Sequence, residues 1–198
     1  MSADHAGPAA ALAARVRRLE GLLEQRGLVA AGELDRALGA FLARASPANG
    51  ARLVARAWLD EGFRARLLAD ANSALPELGL SMRGGLQEQR LKVVQNTEQQ
   101  HNVIVCTLCS CYPWPVLGLP PAWYKDPPYR ARMVREPRKL LAEMGCQLPD
   151  DVEIRVWDSS AEVRYLVLPE RPPGTEDMTE AELAGLVTRD SMIGVSRL

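Results

Sequence analysis

The chain has 198 residues, a length that predicts one domain with an appendage. Its 24 lysines and arginines nearly balance its 25 aspartates and glutamates, and no basic stripe stands out, so nucleic acid is not an expected partner. No apolar run reaches the roughly 20 residues that cross a bilayer, and residues 1–8 lack the apolar core of a signal peptide. We therefore expect no membrane association and a cytoplasmic protein whose thiols stay reduced.

The first part of the chain predicts helices, because apolar residues recur there at intervals of three or four. The four sets are Leu12, Val16, Leu19 and Leu23; Leu34, Leu38, Phe41 and Leu42; Leu53, Val54, Ala57 and Trp58; and Phe63, Leu67 and Leu68. We expect Gly27 to end the first helix and Asp60 to cap the fourth. Residues 1–84 are accordingly assigned to an N-terminal helical segment.

The pattern changes near residue 85, where short strand-like runs replace the helical period. Residues 91–94 and 103–105 are the first two predicted strands. Further along, 129–144 predicts a helix that is interrupted at Pro137.

Two more strands are predicted over 152–157 and 162–168, and we expect them to pair with each other in antiparallel fashion. Thr179 and Glu182 have the spacing of a capping box at the start of a last helix. The expected fold class is therefore α+β, an N-terminal helical arm followed by a mixed α/β domain over residues 85–198.

Three of the four cysteines, Cys106, Cys109 and Cys111, fall in the pattern C-x-x-C-x-C directly after the second predicted strand. Thiolates are soft ligands for late transition metals, and the prolines that follow keep this segment out of a regular helix. A structural zinc site normally takes four protein ligands, for which His101 is the nearest further candidate. A lone histidine at that position is more typical of a structural hydrogen-bonding residue, and the isolated Cys146 is typical of a buried small hydrophobe.

The Cys-Ser-Cys spacing indicates a different use of the cluster. Three sulfurs and the backbone amides of Ser110 and Cys111 would give five donors and leave a sixth position open. Deprotonated amides require a strongly Lewis-acidic ion such as trivalent cobalt or iron. An ion of that kind polarises a bound group or generates a nucleophile near neutral pH.

These motifs resemble the nitrile hydratase α subunit over about residues 10–198. The matching stretches are 105–125 (VCTLCSCYPWPVLGLPPAWYK), 129–138 (YRARMVREPR), 152–158 (VEIRVWD), 161–172 (AEVRYLVLPERP), 49–58 (NGARLVARAW) and 193–195 (IGV). The resemblance implies that the chain is the metal-bearing subunit of an enzyme that hydrates a nitrile to an amide.

The resemblance also implies a modified metal centre with low-spin cobalt(III). Cys106, Cys109 and Cys111 would be ligands together with the amides at Ser110 and Cys111. Cys106 would remain a thiolate, Cys109 would become a sulfinic acid and Cys111 a sulfenic acid. Thr107 resembles the cobalt-type members, whereas iron-type members usually carry serine there, so cobalt is favoured over iron(III).

The implied catalytic residues are Cys111, Ser110, Trp114 and Gln87, with Ser110 tuning the sulfur–oxygen network and Trp114 lining the pocket. The resemblance leaves open whether the attacking oxygen belongs to the Cys111 sulfenate or to water. It further implies a β subunit, as one chain or split in two, in an αβ or α2β2 assembly, and a cobalt-delivery or activator protein. Arg164 would brace the loop or the subunit interface; a plain strand-face arginine is the other interpretation.

Two alternatives remain. The metal-bearing subunit of thiocyanate hydrolase shares the fold and the cysteine pattern, although the run Tyr112-Pro113-Trp114 favours nitrile hydratase. A non-catalytic zinc-binding or assembly subunit is the other. One departure from the family is Gln95, which stands where the family typically has glutamate.

Overall fold

The structure is a computed structural model, and it describes residues 8–83, 88–109 and 111–198. Its contacts divide the chain between Ala43 and Arg44 into two compact units. The change of pattern expected near residue 85 falls inside the second unit, beside residues that are not described. The boundary between segments 1–84 and 85–198 therefore stays a prediction.

The first unit contains the helix α1 (Pro8–Gln25) and all but the last residue of α2, which runs from Glu33 to Arg44. As expected, α1 ends just before Gly27, whose φ of 64° lies in the left-handed region that glycine tolerates. Several leucines of these helices remain exposed, with Leu12 at 60% and Leu38 at 57%.

The second unit begins with the predicted third and fourth helices, α3 (Pro47–Leu59) and α4 (Glu61–Ala69). The Asp60 carboxylate accepts the backbone N–H of Phe63 at 2.8 Å, so the predicted N-cap is confirmed. The short helix α5 (Ala71–Ala74) follows and continues into a 3-10 turn.

Within the described residues, four strands form two parallel pairs. Strand β1 (Arg90–Gln95) pairs with β4 (Val163–Leu168), and β2 (Gln100–Val105) pairs with β3 (Glu153–Asp158). The expected antiparallel pairing of the last two strands is therefore wrong, although both strands exist. The reason is burial. Strand β2 is buried along nearly its whole length, and β3, whose residues are partly exposed, pairs along one edge of β2. The short connection 159–162 then carries the chain to the other pair, where the end of β4 is buried.

The remaining helices are short and lie after the cysteine segment. They are α6 (Trp114–Leu117), α7 (Pro127–Arg135), α8 (Pro137–Glu143), α9 (Glu180–Leu186) and α10 (Arg189–Ile193), with a 3-10 turn at Ala122–Lys125. The predicted capping box of Thr179 and Glu182 is present at the start of α9. Across the described ranges, no helix has both the length and the apolar character needed to span a bilayer.

A close approach fixes the C-terminal segment against β2. Gly194, which follows α10, has φ 90°, and a Cβ at this position would lie 2.0 Å from the Asn102 carbonyl oxygen. Only glycine meets both conditions. The segment after α10 therefore packs directly on the strand that leads to the cysteines.

Candidate metal centre

Three sulfur atoms converge immediately after β2, on what we call the cysteine loop (residues 106–111). The Sγ atoms of Cys106 and Cys109 are 3.5 Å apart, and those of Cys109 and Cys111 are 2.8 Å apart. All three lie within 4.8 Å of one another, close enough to bind one ion. Cys106 is buried, Cys111 is half-buried and Cys109 is exposed, so the cluster opens to one side.

The beginning of the cysteine loop is held by the neighbouring strand. Asp158, the last residue of β3, stands in register with Val105, the last residue of β2. Its carboxylate accepts the Thr107 N–H at 2.9 Å and the Thr107 hydroxyl at 2.5 Å. In addition, the Cys109 N–H donates to the Cys106 sulfur at 3.3 Å. The first half of the loop is therefore fixed before any ion binds.

Asp158 is a site residue that the sequence alone did not predict. An aspartate at the end of a half-exposed strand is common, and its role depends on the parallel pairing of β2 with β3. A hydroxyl residue directly after the first cysteine was the one local signal that an acceptor is nearby.

Buried tyrosines support both the far end of the loop and the strand that precedes it. The Tyr124 hydroxyl donates to the Cys111 carbonyl oxygen at 3.1 Å, and the Tyr129 hydroxyl donates to the Ile104 carbonyl oxygen at 2.9 Å. The Tyr112 ring contacts Tyr124 edge-on, with centroids 4.9 Å apart. Burial raises the pKa of all three phenols, so they remain protonated donors near neutral pH.

Burial also raises the pKa of the Cys111 thiol to about 12, with a further contribution from its hydrogen bond to Cys109. The nearby Arg164 acts in the opposite direction and favours the thiolate. A thiol must lose its proton to ligate a metal, so metal binding at this cluster has to release protons.

Arg164 on β4 is only 7% exposed, and its Nη1 donates to the Ser160 carbonyl oxygen. Its Nε is buried without a hydrogen-bond partner among the described residues. Since this guanidinium lowers the pKa of Cys111, it belongs to the electrostatic surroundings of the cluster. The interpretation as a plain strand-face arginine does not describe a residue this deeply buried.

The other predicted residues are placed as follows. Trp114 begins α6 and is half-buried against the core. Ser110 and Gln87 lie outside the described residues, so their predicted roles remain predictions. Cys146 is buried, as expected.

His101 does not join the cysteines. Its ring lies within β2, where Nε2 donates to the Gly194 carbonyl oxygen at 2.8 Å and Nδ1 faces the Asn96 side-chain amide at 3.3 Å. Burial lowers the pKa of the imidazole, which favours this neutral, hydrogen-bonded state. The structural interpretation of His101 is therefore the one that its contacts support.

Gln95 ends β1, and its carbonyl oxygen accepts the Asn102 side-chain amide at 2.7 Å. Its side chain lines an open groove with Trp58, Asn96 and neighbouring residues, and the described residues of that groove include no cysteine. Gln95, which stands where the family typically has glutamate, therefore lies near the start of β2. The cysteine loop follows the other end of that strand.

The donor set of this cluster suits a thiolate-loving transition metal. Among the described histidines, cysteines, aspartates and glutamates, no fourth side chain joins the three sulfurs. A closed tetrahedral zinc site of four side chains is thus not formed by these residues. Three thiols this close together on one loop fit a thiolate-binding transition metal such as cobalt or iron.

Comparison with known proteins agrees with this donor set. A family model described as "Nitrile hydratase, alpha chain" matches residues 10–196. The low-molecular-weight cobalt-containing nitrile hydratase subunit alpha of Rhodococcus rhodochrous is 56% identical over 185 residues, which cover 93% of this chain and 88% of that protein. Thiocyanate hydrolase subunit gamma of Thiobacillus thioparus is 46% identical over 158 residues, covering 76% and 65% of the two chains.

Among solved structures, a double mutant of the Fe-type nitrile hydratase from Comamonas testosteroni Ni1 superimposes with a TM-score of 0.89. It is 46% identical, and the match covers 96% of this chain and 91% of that one. The expected α+β architecture with a metal loop after a strand is confirmed by this likeness. The chain belongs to the nitrile hydratase alpha-chain family.

Proposed function

We propose that the chain is the metal-bearing α subunit of a nitrile hydratase, which adds water to a nitrile and forms the corresponding amide. The observation that carries this proposal is the convergence of three cysteine sulfurs within 4.8 Å on a loop of the sequence Cys-Thr-Leu-Cys-Ser-Cys. Membership of the nitrile hydratase alpha-chain family supports it. The catalytic domain would be residues 85–198, as predicted from the sequence.

The proposed ion is low-spin cobalt(III), held by Cys106, Cys109 and Cys111 with the backbone amides of Ser110 and Cys111. Thr107 and the 56% identity to a cobalt-containing subunit favour cobalt over iron. Such an ion supplies Lewis acidity that polarises the carbon–nitrogen triple bond of a nitrile.

Two of the cysteines are proposed to be oxidised, Cys109 to a sulfinic acid and Cys111 to a sulfenic acid. The geometry is consistent with this pattern, because Cys109 is exposed and Cys111 half-buried, whereas Cys106 is buried. The buried Arg164 cation would favour an anionic oxygen on Cys111. This electrostatic effect would keep the Cys111 sulfenate charged at neutral pH.

The surrounding residues would orient and shield the reaction. Asp158 and Tyr124 hold the two ends of the cysteine loop through the contacts described above. Trp114, half-buried at the start of α6, would line the nitrile pocket, and Ser110 and Gln87 would contribute polar groups to it. By excluding water from the pocket, these residues would strengthen the electrostatic polarisation of the nitrile by the metal ion.

A β subunit is the proposed partner, as one chain or split in two, in an αβ or α2β2 complex. Around the cysteine loop, Leu108 is 88% exposed and Leu119 is 49% exposed. Apolar side chains at the open mouth of a metal site are typical of a surface that another chain covers. A cobalt-delivery protein would load the ion, and the complex would act in the cytoplasm.

The test is a paired assay of the complex formed by this chain and its β subunit, with a nitrile and with thiocyanate as substrates. Amide production with no carbonyl sulfide is the expected result. Carbonyl sulfide release would instead support the thiocyanate hydrolase alternative, which the 46% identity to subunit gamma keeps in consideration. We also expect the isolated α chain to turn over nitriles much more slowly than the complex, and equal rates would contradict the dependence on β.

A further inference from the structure

His101 is a buried titratable residue that the metal centre does not use. It is 4% exposed and lies near the start of β2, whereas the cysteine loop follows the other end of that strand. Its Nδ1 lies 3.3 Å from the side-chain nitrogen of Asn96, and its Nε2 lies 2.8 Å from the Gly194 carbonyl oxygen. The imidazole therefore joins β2 to the turn before it and to the segment after α10, which we call the C-terminal segment (residues 194–198).

The neighbours of His101 determine which of its nitrogens carries the hydrogen. The Asn102 backbone N–H can only donate, and it donates to the Asn96 side-chain oxygen at 2.8 Å. The other end of that amide is therefore the NH2 group, which donates to Nδ1 of His101. Nδ1 is consequently unprotonated, and Nε2 carries the hydrogen that it donates to Gly194. The neutral imidazole satisfies both neighbours.

A protonated His101 does not fit this arrangement. The imidazolium has a hydrogen on each nitrogen, so its Nδ1–H would face the NH2 group of Asn96, one donor against another. Asn96 cannot reverse its amide, because its oxygen also accepts the Asn102 side-chain amide at 3.1 Å. The Asn102 side chain is held in turn by the Gln95 carbonyl oxygen and the Trp157 indole. A buried donor without an acceptor is unfavourable, so protonation has to displace the ring.

Charged groups surround His101 on four parts of the fold. They are Glu98 in the turn between β1 and β2, Glu153 and Arg155 beside the register partner Ile154 on β3, Glu170 and Arg171 after β4, and Arg197 with the last residue Leu198 in the C-terminal segment. Burial is the main cause that lowers the pKa of the imidazole; the Gly194 carbonyl raises it, and the charge of Arg197 lowers it further. Glu153 and Arg155 pair with each other at 3.0 Å. The surroundings therefore favour a neutral ring in its present position.

An adjoining cavity offers the charged ring a different position. The cavity has a volume of about 320 Å³, and His101, Glu98 and Glu170 all line it. Neither glutamate carboxylate has a hydrogen bond or an ion pair among the described residues. Hydrogen bonds between an imidazolium and a carboxylate are among the strong ones, so a ring that turns into this cavity gains an acceptor. The same rotation takes the Nε2 donor away from the Gly194 carbonyl oxygen.

We propose that His101 is a pH-sensitive switch: the neutral imidazole binds the C-terminal segment to β2, and the protonated imidazole turns toward Glu98 and Glu170 and releases that segment. Of the hydrogen bonds between described residues, the one from His101 to Gly194 joins this segment to β2. The switch is independent of the proposed function, because no metal ligand takes part in it.

The test is hydrogen exchange, read by mass spectrometry, on the complete α–β complex from about pH 7.5 to about pH 5.5. The reporter is the peptide that contains Val195, whose N–H donates to the Asp190 carbonyl oxygen at 3.0 Å. Because the pKa of His101 is lowered in the closed state, the segment is held above the ordinary histidine pKa of about 6.5 and should open about tenfold more for each pH unit below it, until the closed state also protonates. Helix α3 should keep its protection throughout, and a parallel loss there would mean global unfolding and would overturn the switch.

Three variants separate the switch from general acid sensitivity. His101→Gln keeps a side-chain donor that does not titrate, so its exchange, corrected for the intrinsic rate, should not depend on pH. Asn96→Asp gives the Nδ1–H an acceptor, so the segment should stay bound in acid. The double variant Glu98→Gln with Glu170→Gln removes the two exposed carboxylates and should reduce the opening in acid. Asp151→Asn, at an exposed turn, is the matched control and should behave as wild type.

Wild-type exchange that is independent of pH would overturn the proposal without any variant. Equal acid sensitivity of wild type and His101→Gln would overturn it as well. If a change at the buried His101 or Asn96 prevents folding, the double glutamine variant decides the matter, because it alters exposed residues alone. Opening in acid that equals wild type in that variant would show that the carboxylates do not receive the ring. Loss of nitrile hydration with the pH response intact would count against the proposed function and leave the switch standing.

Discussion

Replacing Asp158 with alanine should loosen the cysteine loop and weaken cobalt retention. The change removes the acceptor of both Thr107 hydrogen bonds, at 2.9 Å from the amide and 2.5 Å from the hydroxyl. Shielded hydrogen bonds to a charged group contribute about 1.5–3 kcal/mol each. Because Thr107 and Asp158 are both exposed, solvent weakens these bonds, and we expect the two together to contribute about 1–3 kcal/mol. At about 1.4 kcal/mol per factor of ten, cobalt should be retained roughly 5- to 150-fold less tightly.

The assay is competition of the loaded complex with a chelator, followed by measurement of the remaining cobalt. Asp158→Asn keeps an acceptor oxygen without the charge and should lie between alanine and wild type. Asp151→Asn makes the same chemical change at an exposed turn and serves as the control. If Asp158→Ala retains cobalt as tightly as wild type, the loop is not held by this carboxylate and the argument is refuted.

Three other predictions concern protonation and the walls of the site. Folding raises the pKa of the Cys111 thiol to about 12 from an ordinary 9.0, so as pH rises the unfolded chain loses this proton before the folded chain does. The free energy of unfolding of the metal-free chain should therefore fall as pH rises above about 9. A free energy that does not change with pH in chemical denaturation would contradict this. Arg164→Met should lower nitrile turnover at pH 7 about tenfold or more, because it removes the positive charge that stabilises a negative charge at Cys111. Arg164→Lys keeps that charge and should lower turnover less. Equal steady-state rates for the two variants would argue against an electrostatic role. Tyr124→Phe removes the bond to the Cys111 carbonyl oxygen and should cost about 1 kcal/mol of unfolding free energy in urea denaturation, and no change in the midpoint would show that the bond is not made.

The local parts of the fold were predictable from the sequence. Asp60 and Thr179 cap their helices as expected, because a cap depends on residues three positions apart. The cysteine cluster was equally visible, since its three ligands lie within six consecutive positions. The chemistry and spacing of these residues predict a metal site from the sequence alone.

The non-local parts were not predictable in the same way. The pairing of β3 with β2 depends on burial of a strand about fifty positions earlier, and the sequence pattern alone favoured an antiparallel hairpin. Asp158 became a loop-holding residue only through that pairing. The burial of Arg164 likewise follows from the position of β4 beside β1, because an arginine in an alternating strand is usually exposed.

We propose that this chain carries an oxidised cobalt centre on its three clustered cysteines. Metal analysis of the purified α–β complex, together with mass spectrometry of the peptide that contains residues 106–111, is the direct test. We expect cobalt bound to the chain, a sulfinic acid at Cys109, a sulfenic acid at Cys111 and an unmodified Cys106. Zinc in place of cobalt, with all three cysteines free of added oxygen, would contradict it.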